Sequence, residues 1–203
     1  MIEEIHLSHL PPELTLYIAC YKDVTNTAYL RKQLLSANQA FNYAFIDATT
    51  VLSRRHLLAA CFRALNDYMH DRLKSTNVQS EIVFCLSSNN NIGDAFRRFG
   101  IGDGSQNVIV VKVGDGTRAD GVSRESVAKH LGEVIEGLGV DFSDEWLRAV
   151  CDVDRVRKNY KIAKPVHQGK GSKAVSGDHA TNRDELSEIE VQVLGLMALR
   201  GAT

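Results

Sequence analysis

Apolar residues along this chain recur at two spacings, and the switches between them mark its elements. Ile5 to Leu10 is an extended entry segment, because Pro11-Pro12 behind it prevents a helix. Leu14 to Tyr21 (LTLYIACY) has the composition and length of a strand. Asp23 to Thr27 then caps a helix running to Ala37, with Leu30, Leu34 and Leu35 inward. Ala44 to Ala48 is a second short strand, closed by Thr49-Thr50. Ser53 caps the longest helix, to about Lys74, whose apolar set is Leu57, Leu58, Cys61, Leu65, Tyr68, Met69 and Leu73. Alternating charges at Arg54, Arg55, Arg63, Asp67, Asp71 and Arg72 fill the rest of its circumference and read as a solvated face.

The centre of the chain, Ser80 to Val113, reads as one organised unit. Ile82 to Leu86 is ambiguous: its composition favours a strand, while Ser80-Glu81 ahead of it resembles a helix cap. After the polar turn Ser87 to Asn91, the residues Ile92, Ala95, Phe96 and Phe99 recur at helical spacing, with Arg97 and Arg98 on the other side. Gly100 stands where a left-handed terminator is expected. Asn107 to Val113 is a strand covered on both faces. Helices follow at Ser123–Gly137, Ser143–Val150, Asp152–Ile162 and Asp184–Leu199. Between the last two, residues 164–182 are poor in apolar side chains and read as a mobile loop. The pattern predicts an α/β (α+β) protein: one domain over 1–203, with a small mixed sheet covered by several helices.

Composition narrows the function classes. With 24 Lys and Arg against 25 Asp and Glu, the net charge is −1, so any attraction for nucleic acid must come from a local patch. No apolar run reaches the roughly 20 residues of a transmembrane helix, and the acidic start lacks a secretory core segment. Cys20, Cys61, Cys85 and Cys151 are widely separated in apolar contexts, the pattern of reduced thiols in a cytosolic or nuclear protein.

Catalytic and metal chemistry finds little support. His6 and His9 lack cysteine or carboxylate partners at ligand spacing, and His56 has only Ser53 nearby, which reads better as a cap. The glycines at 100, 102 and 104 close a helix and lead into a strand, the reverse of a dinucleotide-binding order. The better candidate is Ser87 to Asn91, where a helix start offers backbone donors with Arg97 and Arg98 on the same helix. Its simpler reading is a cap and a tight turn. The C-terminal helix carries an apolar face wider than one buried stripe requires, so Leu196, Met197 and Leu199 are candidates for a partner interface.

The strings SEIVFCLSSNNNI, DAFRRFGI and VIVVKV, with NYAFIDATT, SRRHLLAACFRALN and DELSEIEVQVLGLMALR, resemble the small accessory subunit of the KEOPS (EKC) complex, the PRPK-binding protein (TPRKB/Cgi) family. The resemblance covers most of the chain outside its joining loops, and none of these motifs is catalytic. It implies a helix at Ile82–Leu86. It also implies a non-enzymatic subunit without cofactor or metal, which docks on the PRPK-type kinase/ATPase subunit and through it meets the threonylcarbamoyl transferase. The resemblance further implies tRNA binding through the CCA 3′ end for N6-threonylcarbamoyladenosine modification, roles in telomere maintenance and transcription, and a place in nucleus and cytoplasm, away from membranes.

On this basis Asn89, Asn90, Asn91, Ile92, Arg97 and Arg98, with Arg54 and Arg55, are expected to hold the tRNA end. Ile92, Phe96, Leu196, Met197 and Leu199 are expected to dock the kinase. The rival readings are a pure kinase-binding adaptor without RNA contact, and a small enzyme that binds a phosphorylated molecule at the asparagine-rich helix start.

Overall fold

The computed structural model describes residues 2–117, 121–164 and 178–200, and over 178–184 the backbone alone. Its elements, in order, are β1 (Ile2–Ile5), β2 (Leu14–Lys22), α1 (Thr27–Leu35), β3 (Ala44–Asp47), α2 (Arg54–Met69), α3 (Val78–Cys85), α4 (Ile92–Phe99), β4 (Val108–Asp115), α5 (Arg124–Val134), β5 (Leu138–Val140), α6 (Asp144–Val150), α7 (Val153–Tyr160) and α8 (Asp178–Ala198).

The two apolar runs seen in the sequence, β2 and β4, pair with each other from Leu14↔Asp115 to Tyr21↔Val108 and form the middle of the sheet. The order is β1-β2-β4-β3, and β5 continues the β1 edge by pairing with Cys20–Lys22. Alternate residues point to opposite faces. Leu16, Ile18, Cys20, Ile109 and Val111 face α2, α3 and α8, while Tyr17, Ala19, Val108 and Val110 face a second core with Leu30, Val127 and Leu131. Covering both faces is why these strands carry no polar alternation. The α+β class is as expected. All pairings are antiparallel, however, where a mixed sheet was expected. Strand direction depends on how the helical excursions between strands return, and an apolar run is the same read in either direction.

Local differences have local causes. α2 stops at Met69, short of Lys74, and Asp71 turns left-handed with φ 53°. Ile82 to Leu86 belongs to a helix, whose cap is Asn77 rather than Ser80-Glu81: its side chain accepts from Ser80 N at 2.9 Å. Leu35 is 76% exposed at the end of α1 instead of inward. Gly100 ends α4 in extended backbone, φ −69°, not left-handed. Glycine is needed there for closeness, since a Cβ would lie 2.6 Å from the Phe96 carbonyl oxygen. Of the loop expected at 164–182, residues 165–177 lie outside the described residues, and the chain is already helical from Asp178.

Candidate functional site

The asparagine turn is built around the first turn of α4. Asn91 is the N-cap, and its Oδ1 accepts from Asp94 N at 2.9 Å. Asn89 Oδ1 accepts from Asn91 N at 2.9 Å, and Asn89 Nδ2 donates to Asp94 Oδ2 at 2.8 Å. Ser87 Oγ accepts from Asn89 N at 3.2 Å, which joins this knot to the end of α3. Asn90 is exposed at the apex.

Asp94 is the electrostatic centre. The Asn89 amide and the guanidinium groups of Arg98 and Arg97 hold its carboxyl below the usual aspartate range, against the opposing effect of burial. Arg98 Nε stands 2.6 Å from Asp94 Oδ2, and Arg97 also pairs with Asp94. The two arginines differ in freedom: the Arg97 side chain is 76% exposed, whereas Arg98 is 28% exposed and donates to Asn159 O of α7 at 2.9 Å. Arg97 is therefore the more available of the two for a ligand phosphate.

Ile92 and Phe96 share the outer side of α4, while Ala95 and Phe99 are buried. Phe96 and Gly93 line a groove of about 580 Å³ between α1 and α4, with Tyr43, Phe45 and Val83 among its lining and Arg31 and Arg97 also present. Arg97 also lines a more polar cleft of about 350 Å³ with Asp47, Ser105 and Arg155. There Arg155 Nη1 donates to Asp47 Oδ2 at 2.9 Å and Ser105 Oγ to the same oxygen at 3.0 Å, so the buried carboxylate is already satisfied.

Arg54 and Arg55 sit in a different neighbourhood. Arg54 pairs with Glu3 at 2.6 Å, lies 4.4 Å over the Phe142 ring and takes Asp144 Oδ1 on its backbone N–H. Arg55 faces Glu190 of α8 at 3.7 Å. Their partners come from β1, α6, α8 and the segment before α6, none of which belongs to the asparagine turn.

α8 packs on α2 through Ile189, Val193 and Met197. Met197 is 4% exposed, so among the residues expected to dock the kinase it serves the core instead: helical spacing put it on the buried side. Leu196 (37% exposed) and Leu199 (59%) point outward, and Phe62 of α2 is exposed as well. Arg63 of α2 donates to the carbonyls of Met197 and Arg200, fastening the end of α8.

Sequence reasoning did not identify Arg200. It is buried, stacks 3.9 Å over the Phe84 ring and donates to Phe84 O, to Ser87 O at 3.5 Å and to Cys85 Sγ at 3.4 Å. The sequence signal was a basic residue at the end of an apolar helix, which does not reveal a partner more than a hundred residues away.

The groups considered for catalysis are spent on structure. His56 Nδ1 accepts from Leu52 N at 3.2 Å, so its Nε2 carries the proton and donates to Tyr160 OH at 2.8 Å. Burial pushes its pKa down to about 3. Ser53 caps α2, accepting from His56 N at 3.0 Å. His6 meets Glu4 at 3.4 Å. Cys20, Cys61 and Cys85 are buried and burial raises their thiols, Cys20 to about 12 and Cys85 to about 11. Asp67, Glu81 and Cys85 bring ligand-type atoms within 4.8 Å of one another. Arg63 and Arg72 face Asp67 and Arg200 faces Cys85, which weighs against a cation there, while Glu81 accepts from Ser75 N through Oε2 at 2.7 Å and its buried Oε1 has no hydrogen-bond partner.

The family model described as kinase binding protein CGI-121 matches residues 21–201 of the chain. The EKC/KEOPS complex subunit cgi121 of Aspergillus terreus is 48% identical over 202 residues, covering 100% of this chain and 98% of its own length. That of Aspergillus fumigatus is 46% identical with the same coverage. The subunit of the same name from Schizosaccharomyces pombe is 34% identical over 151 residues, 74% of this chain and 84% of its own.

Proposed function

The chain belongs to the CGI-121 family of kinase-binding proteins, and from that premise we propose that it is a non-catalytic accessory subunit of an EKC/KEOPS complex. It docks on the PRPK-type kinase/ATPase subunit, through which it meets the threonylcarbamoyl transferase. It recruits tRNA by its CCA 3′ end for N6-threonylcarbamoyladenosine modification. Roles in telomere maintenance and transcription, and a nuclear and cytoplasmic location, belong to the same reading, and a fluorescent fusion that stayed out of the nucleus would remove the last.

The observation that carries this reading is the contrast between two kinds of side chain. The residues with catalytic potential, His56 and Ser53, are closed into bonds within the fold, while Ile92, Phe96, Leu196 and Leu199 stand exposed on well-packed helices. A helix that buries one side and leaves large apolar groups on the other offers contact area for a partner. Arg97, exposed in the last turn of α4 and lining the groove with Phe96, supports the RNA-end site, with single-stranded ends held by phosphate contacts and an apolar floor.

One observation favours the plain adaptor instead. Asp94 pairs with both Arg97 and Arg98 and offsets one of their two charges, and Asn89 and Asn91 are engaged in the cap, so α4 is less electropositive than its two arginines suggest. Retention of intact and CCA-trimmed tRNA by the full chain separates the two. Loss of binding on trimming supports end recognition, and absence of binding to either RNA leaves the adaptor.

A further inference from the structure

The two exposed surfaces are joined by a continuous path of contacts through Arg200. The last turn of α8 is closed by Leu199 N donating to Gly195 O at 3.0 Å and Arg200 N to Met197 O at 3.3 Å. With that turn formed, Arg200 reaches the end of α3, where it stacks on Phe84 and donates to the carbonyls of Phe84 and Ser87. Ser87 Oγ in turn accepts from Asn89 N, and Asn89 holds both Asn91 N and Asp94. The path therefore starts beside Leu196 and Leu199 and ends at the first turn of α4.

We infer that Arg200 is a positioning residue that couples the two surfaces, so that a partner covering Leu196 and Leu199 tightens the hold of the asparagine turn on an RNA 3′ end. This rests on the two-surface reading above. The two-state element in this proposal is the last turn of α8, either formed with Arg200 seated or opened with it released against the hold of Arg63 on the Met197 and Arg200 carbonyls. A partner that binds the formed turn raises its population and seats Arg200 against Ser87. A seated Arg200 fixes the Ser87 carbonyl, and with it the hydroxyl on which Asn89 closes. Because coupling is reciprocal, bound RNA tightens the partner by the same factor. Lysine is no substitute: the planar guanidinium alone stacks on Phe84 and donates to three acceptors at once.

The test measures the affinity of intact tRNA for the full chain, alone and with saturating PRPK-type kinase subunit, for wild type, Arg200→Ala, Arg200→Lys and Ser87→Ala. Hydrogen exchange at the Asn89 to Asp94 amides is followed in parallel. In wild type the kinase tightens tRNA binding by about fivefold or more and slows exchange at Asn89 and Asn91. In Arg200→Ala and Arg200→Lys the kinase is still retained, the factor falls to about 1, and those amides exchange faster even without a partner. Ser87→Ala breaks the path at a different link while leaving the carbonyl that Arg200 reaches, so it decides the matter if circular dichroism shows Arg200→Ala unfolded. Unchanged factors in Arg200→Ala and Ser87→Ala, or a wild-type factor near 1, overturn the coupling while the two-surface reading stands. A wild-type chain that retains neither kinase nor tRNA overturns the reading beneath it.

Discussion

Arg98 reaches one helical turn back to Asp94, with Nε 2.6 Å from Oδ2, and its Nη1 donates to Asn159 O at 2.9 Å. It therefore ties α4 to α7 as well as balancing the buried carboxylate, whereas its neighbour Arg97 touches Asp94 from solvent.

The two arginines, adjacent in sequence, are accordingly expected to respond differently to charge reversal. Arg97→Glu changes unfolding stability by no more than about 0.5 kcal/mol, the scale of an exposed ion pair. It weakens tRNA retention and makes its salt dependence shallower, by about 0.7 for each phosphate that residue 97 no longer neutralises. Arg98→Glu costs about 1–3 kcal/mol because it sets a second carboxylate beside Asp94 and leaves the Asn159 carbonyl without its donor. Urea titration and salt-dependent filter binding on both variants check this, and equal stability losses in the two would contradict it.

At the end of α8, residues two positions apart again have opposite fates. Met197→Ala opens a cavity against α2 and costs about 2–5 kcal/mol. Leu199→Asp leaves stability within about 0.5 kcal/mol but reduces kinase retention by about tenfold or more, the cost of losing a central interface side chain. Thermal unfolding and a quantitative pull-down measure the two effects separately.

Gly100 gives a prediction about packing alone. Its added Cβ would meet the Phe96 carbonyl oxygen at 2.6 Å, a backbone atom that cannot swing aside. Gly100→Ala lowers stability by about 1–3 kcal/mol, as overpacking does, and the urea midpoint falls with little change in slope.

His56 sets a pH dependence. Its pKa is about 3 in the fold against an ordinary 6.5, so the unfolded chain takes up a proton first as the pH falls. The stability from keeping His56 neutral is present in full above 6.5 and declines towards about 3, by up to about 1.4 kcal/mol per pH unit. Between pH 6.5 and 5 carboxylates contribute little, and His56→Phe should flatten the curve in that window even if it is less stable throughout. A wild-type curve that is already flat there would count against the closed Leu52–His56–Tyr160 arrangement.

What the sequence revealed follows the range of the interactions involved. The cap at Ser53 and the capping turn that ends at Asn91 were legible because a cap is made within three residues. β2 and β4 were legible because burial on both faces leaves an unbroken apolar run. Strand direction, the exposure of Leu35 and the burial of Met197 were not, since periodicity gives a helix an apolar side without saying how much of it the fold covers. Of the candidate site, the asparagine turn and the exposed Ile92, Phe96, Leu196 and Leu199 lie on helices the pattern already delimited. Its other parts, Asp94 drawing in both arginines and Arg200 reaching Phe84 from 116 residues away, depend on tertiary contacts.

A kinase-docking surface and an RNA-end site carried on one chain are the centre of the proposed function. Co-purification of the full chain with the PRPK-type kinase subunit, in the presence of intact or CCA-trimmed tRNA, tests this most directly. The expected result is a complex that retains intact tRNA and loses it on trimming, with Leu199→Asp releasing the kinase and Arg97→Glu releasing the RNA. Retention of trimmed and intact tRNA alike, or a kinase that fails to bind the wild-type chain, would contradict it.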